Sequence, residues 1–226
     1  MASNLGNLGS QFLGREYKHA SIVVIGNFNP AIFHPEWFKT QAILPEIELE
    51  LESRPGATSL VVSGEICSIH FRSLRLDVFL DRWSLGTERP DWFGDLGAVV
   101  KSIFKKLPHT PVNTVGLNVV EHIPLPEGGL GEVLTSWLPC DRFGEVVGPN
   151  PSIGAVGRAE WNEFMSTVTM QASISVKGGI YVAQNFERKI KNVDELADLL
   201  DARWSEVLER SKAVTKLLTQ PRKEST

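Results

Sequence analysis

The chain has 226 residues, 42% of them hydrophobic and 22% charged, which is the composition of a globular protein and excludes a disordered chain. At that length a core can bury roughly 70% of the unfolded surface without disulfides or metals to hold it. A formal net charge of −4 at pH 7, with basic residues spread over both halves, excludes a module that grips phosphate backbones by bulk charge.

Residues 1–18 are rich in Gly, Asn and Ser and have no charged start followed by an apolar run, so they read as a loose N-terminal arm rather than a secretory signal. The β-branched run ASIVVIGNF, 20–28, predicts a buried strand. PEWFKTQAI, 35–43, predicts a short helix with Pro35 at its first position. LPEIELELES, 44–53, alternates strictly: Ile47, Leu49 and Leu51 point one way, and Glu46, Glu48, Glu50 and Glu52 the other. That period of two predicts a half-buried strand. SLVVSG, EICSIHF and LRLDVFLDRW supply two to three more strands. Over 91–107 the residues Trp92, Phe93, Leu96, Val99, Val100, Ile103, Phe104 and Leu107 form one stripe at helical spacing, and Pro108 ends it. Asp91 and Asp95 near its start and Lys101, Lys105 and Lys106 near its end suit the helix dipole.

The second half runs in the same order. PVNTVGLNVVEHI, 111–123, predicts a strand, and 127–139 holds a short helix. Residues 140–160 read as a Gly/Pro-rich loop with at most one weak strand. FMSTVTMQASISVK belongs to a long strand over 162–177, turned by Gly178 and Gly179 into a hairpin with GIYVAQNFERK. Asn192 and Glu195 fit a capping box for a final helix from Val193 to Lys216. Its buried stripe is Leu196, Leu199, Leu200, Trp204, Val207, Leu208 and Val214. The expected organisation is an arm (1–18), two similar halves (19–110 and 111–218) and a frayed tail (219–226).

The expected fold class is therefore α+β: two similar strand–helix–strands–helix halves forming an antiparallel sheet with helices packed on one face. An amphipathic helix must lay its stripe on a sheet, and an antiparallel sheet tolerates water on its other face. The small polar row Thr167, Thr169, Gln171 and Ser173 would stand on that other face. It is either ordinary wet sheet or part of a contact surface.

Catalytic signatures are sparse. Cys67 and Cys140 are too few for a disulfide framework or a cysteine-only zinc site and fit a reducing, cytoplasmic setting. CSIH places Cys67 three residues from His70, which in a strand sends the two to opposite faces. Glu121 and adjacent His122 diverge for the same reason. No HExxH, GxSxG or CxxC pattern occurs. GGLGE, 128–132, precedes a helix but lacks the residues of a phosphate loop, and Glu132 opposes an anion there. The four glutamates of 46–52 lie about 7 Å apart along one strand face, too far to ligate a cation without other segments. Neither a cofactor nor a metal is expected, and no run of about 18 apolar residues predicts a membrane span.

GLNVVEHIPLPEGGLGEVLTSWLP and NFERKIKNVDELADLLDARWSEVLERSKAVT resemble the middle and C-terminal parts of a sporadic family of uncharacterised prokaryotic proteins. The resemblance implies a prokaryotic cytoplasmic protein and carries no activity. The doubled layout is also similar to the TATA-binding saddle, although this chain is acidic where the saddle is basic. The reading that follows is a non-enzymatic protein-interaction module or accessory subunit, with a homodimer as one form. It binds through the open sheet face or the 140–160 loop, with Thr167, Thr169, Gln171, Ser173, Arg158 and Trp161 as contact residues. The alternatives are a nucleic-acid-binding module using the sheet face and basic patches, and an enzyme with a non-local site around His70, Glu121 and His122.

Overall fold

The structure is a computed structural model and describes residues 17–51, 59–127, 129–137 and 154–219. The expectations for the N-terminal arm, for most of the 140–160 loop with Cys140, and for the tail beyond 219 lie outside the described residues.

Among the described residues nine strands form one antiparallel sheet: β1 (Tyr17–Gly26), β2 (Leu60–Val62), β3 (Ile66–His70), β4 (Arg75–Phe79), β5 (Arg82–Thr87), β6 (Val112–Ile123), β7 (Gly154–Trp161), β8 (Phe164–Ala172) and β9 (Ile180–Lys189). Their order across the sheet is β2-β3-β4-β5-β1-β6-β9-β8-β7. Each half opens with a central strand, β1 or β6, and returns to it through an antiparallel meander. The helices are α1 (Pro35–Thr40), α2 (Leu96–Lys105), α3 (Gly129–Trp137) and α4 (Val193–Thr219).

Alternation along the strands decides which face the helices cover. Ile22 and Val24 on β1, Trp83 and Leu85 on β5, Val115 and Leu117 on β6, and Phe186 on β9 are cross-strand neighbours on one face, and all are buried. They share a core with Val100, Ile103 and Phe104 of α2 and with Leu196, Trp204 and Val207 of α4. Phe38 of α1 joins that core, while Val133 of α3 packs with Met170, Ile180 and Val182 on the same face. The chain is thus α+β, with its described helices on one side of the sheet.

Several local expectations need correction. Residues 46–49 form a 3-10 turn after Pro45, not a strand, and only Leu51 makes a single bridge, to Phe71. Glu48 turns inward and Ile47 outward, the reverse of the alternating pattern. LRLDVFLDRW is two strands, because Leu80 and Asp81 turn the chain between β4 and β5. Trp83 therefore lies within β5 and is fully buried. The 91–107 stripe is a 3-10 turn (Pro90–Trp92) followed by α2, which starts only at Leu96. The strand expected over 162–177 is shorter: β8 stops at Ala172, and Ile174, placed on the apolar side by alternation, is 93% exposed in the turn beyond it. The weak strand of the loop is eight residues long and forms β7, joined to β8 through Asn162, whose φ of 52° closes the hairpin.

Candidate functional site

The face opposite the described helices carries rows of side chains that run across strands, one of them polar. Ser21, Asn118, Asn185, Thr167 and Arg158 are successive cross-strand partners on β1, β6, β9, β8 and β7. The neighbouring row is His19, Val120, Ala183, Thr169 and Val156. Thr167 and Thr169 are half-buried, and Gln171, Val156 and Arg158 are exposed. The first row is hydroxyl and amide groups ending in a guanidinium and the second is mostly apolar, on a surface that no described helix covers.

The other two expected contact residues lie elsewhere. Trp161 sits on the helix-bearing side, its ring 5.9 Å from Phe164 and 5.3 Å from Phe186, with the Arg210 guanidinium over it. Ser173 leaves the row and builds the turn after β8. Its hydroxyl accepts from the backbone N–H of Ser175 (3.1 Å) and Val176 (2.8 Å) and lies 2.7 Å from Nδ1 of His122. With both lone pairs engaged, the hydroxyl proton goes to Nδ1, which makes His122 the neutral tautomer protonated at Nε2. Burial lowers its pKa below the ordinary imidazole value, and its ring packs 4.9 Å from Tyr181.

The residues of the catalytic alternative do not converge. His122 faces the open side and Glu121 the helices. His70 is on the open side of β3, four strands from β6, or roughly 19 Å at ordinary strand spacing. Cys67 is buried on the helix face, its thiol donating to the Phe33 carbonyl at 3.0 Å. Burial, with the nearby Asp77 charge, pushes its pKa up to about 12, so it is a structural thiol and no nucleophile. Among the described residues no group of three or more His, Cys, Asp or Glu side chains is arranged to hold a metal ion. No described helix is long and apolar enough to cross a membrane.

Two arginines near the last strand and helix are engaged internally. Arg188 binds Glu163 (2.8 Å) and Glu195 (3.0 Å), and Arg203 binds Glu163 and Glu206. A cleft of about 240 Å³ at the end of β1, β4 and β5 gathers His19, His70, Arg72, Arg75 and Arg89. Its three arginines face Glu50, Asp77 and Asp91 respectively. Burial first, and then Arg75, hold the His19 pKa below its usual value against the opposing pull of Glu88.

One buried polar cluster has no counterpart in the sequence reading. Under α4, the Gln184 amide donates to the Ser211 carbonyl (3.0 Å) and to Thr215 Oγ1 (3.2 Å). The signal was present: Leu200, Trp204, Val207, Ser211 and Thr215 continue one stripe at helical steps, and all are buried. Choosing apolar letters alone selects Leu208 and Val214, which are only half-buried.

Compared with known proteins, the chain matches no family model and no curated relative.

Proposed function

We propose that the chain is a non-enzymatic protein-interaction module that pairs with a second copy of itself through β7 and the adjoining face that no described helix covers. The observation that carries this reading is the edge: β7 is eight residues long, is the outermost described strand of the sheet, and is exposed along most of its length, with Val156 at 64%. An edge strand offers unpaired N–H and C=O groups to another strand.

Charge supplies the register. Arg158 and Glu160 share one face of β7. Two copies paired antiparallel about Ala159 set Arg158 against Glu160 of the second copy, twice, and set Gly157 opposite the bulky Trp161. Each cross-strand charge pair contributes ~0.2–1 kcal/mol, so the backbone ladder gives most of the affinity and the charges select the register. The uncharged row ending at Thr167 would then continue across the junction as one surface. The internally paired arginines favour this reading over phosphate binding.

Charges on an edge also serve to block pairing in many sheets, and a charge exchange separates the two roles. Sedimentation equilibrium of the full chain at tens of micromolar is expected to show a monomer–dimer equilibrium. Arg158→Glu should weaken it about tenfold through two like-charge contacts, and Arg158→Glu with Glu160→Arg should restore it. A chain that stays monomeric throughout, or an Arg158→Glu variant that dimerises as well as the parent, overturns the proposal.

A further inference from the structure

We infer that the cleft between α4 and the sheet binds a small neutral molecule that presents an N–H donor beside a C=O acceptor, as an amide or a nucleobase does. The cleft encloses about 460 Å³ between α4, the helix side of β1 and β6, and the Phe93–Gly94 turn. Small-molecule sites typically occupy about 300–1,000 Å³.

Two side chains in its lining are almost wholly buried and incompletely bonded. Glu121 is 6% exposed; its Oε1 pairs with Lys18 Nζ at 3.2 Å, and its Oε2 has no hydrogen-bond partner. Ser211 is 1% exposed, and its Oγ also has none. Buried polar atoms without partners are few in native proteins, and those on residues that line a cleft are candidates for a ligand's complementary groups. Packing does not relieve them here. Gln184, directly beneath α4, spends its amide N–H groups on Ser211 and Thr215, which fixes the helix over the sheet with both groups in place.

The chemistry of the lining narrows the ligand. A carboxylate oxygen only accepts, so the molecule must supply an N–H or O–H to Glu121. The Ser211 hydroxyl is able to donate, which calls for an acceptor on the same molecule. The charged residues of the lining balance: Lys18 pairs with Glu121, and Lys212 with Glu209 at 2.7 Å. A charged ligand would enter without a counter-charge and bear the desolvation cost alone, so a neutral one is favoured. Phe93, Val119 and Leu208 give apolar walls for a ring. The site lies on the helix side of the sheet and does not depend on pairing at β7.

The test is a titration of the isotope-labelled full chain, followed by amide NMR, with three probes of one size: benzamide, benzoate and benzylamine. Benzamide should give saturable shifts at Val119–Glu121 and at 205–212, with a dissociation constant at least fivefold below that of either charged probe. Ser211→Ala should raise the benzamide constant about fivefold, the usual worth of one hydrogen bond. Leu208→Trp, which fills the cleft, should abolish saturation, while far-UV circular dichroism reports that each variant stays folded. Should Leu208→Trp not fold, the Ser211→Ala comparison decides alone. The inference is overturned if benzamide does not saturate, which would mean that solvent alone fills the cleft. Tighter binding of a charged probe, or an affinity indifferent to Ser211→Ala, overturns it equally.

Discussion

His122 is held where a proton is costly. Nδ1 already accepts from Ser173, whose hydroxyl is itself committed to two backbone N–H groups of the turn. A second ring proton would point at an oxygen with no lone pair left, so charging the ring must break the turn. Burial acts in the same direction and lowers the pKa of His122; burial, aided by Arg75, lowers that of His19. The sign follows from linkage. The unfolded chain takes up these protons first as pH falls, because its imidazoles titrate near the ordinary 6.5. Stability is therefore independent of both groups above about pH 7 and falls as pH drops through 6.5 toward the lowered folded values. Urea unfolding between pH 7.5 and 5 should show that decline, and His122→Asn should make the slope shallower below pH 6.5. An unchanged slope in the variant would show that Ser173 does not hold the ring neutral.

The packing of α2 on α4 turns on Gly97. A Cβ there would stand 2.9 Å from Cδ1 of Trp204, whose indole N–H donates to the Phe93 carbonyl at 2.7 Å. Alanine gains about 1 kcal/mol of helix propensity at an ordinary site, but crowding in a packed interface costs about 1–3 kcal/mol. Gly97→Ala should therefore destabilise the chain by up to about 2 kcal/mol in urea unfolding. Gly94→Ala is the control, since a Cβ at Gly94 meets nothing within 4 Å and should leave the midpoint unchanged. Legibility followed the same logic of burial. The 20–28 and 111–123 strands and the final helix were readable because each buries a periodic apolar face against the core. The strand expected over 44–53 fails because strict alternation fits a strand only where a sheet edge is there to receive it, and the chain offers Leu51 only a single bridge, to Phe71 just past β3. The break at Leu80 and Asp81 was invisible because it carries neither Gly nor Pro. Of the candidate surface, the row of Thr167, Thr169 and Gln171 followed from parity alone. The departures of Ser173 into its turn and Trp161 onto the helix side depended on where β8 ends and where the β7–β8 turn falls, which periodicity leaves open. The cluster of Glu121, Gln184 and Ser211 needs three distant segments brought together, and no local pattern announces that.

The two halves meet through more than a seam. β1 and β6 pair over ten positions at the centre of the sheet. Trp204, from the second half, is buried against Gly97 of the first, and Lys101 of α2 forms an ion pair with Asp201 of α4. One continuous core joins Ile22, Val24 and Leu76 to Leu117, Phe186 and Trp204. Neither half can shed the other without exposing that core. Each loses the ladder of its first strand as well. Cooperative unfolding follows: indole fluorescence and far-UV circular dichroism should give coincident urea transitions, the mark of a single unit. Trp204→Ala is the sharpest probe, because it removes the largest side chain that the second half places in the shared core beneath α2. A buried Trp→Ala change costs about 3–5 kcal/mol, and here that loss should move both signals together to lower urea. If the halves were energetically separate, the variant would instead split the transition, with the strands of the first half melting apart from α4.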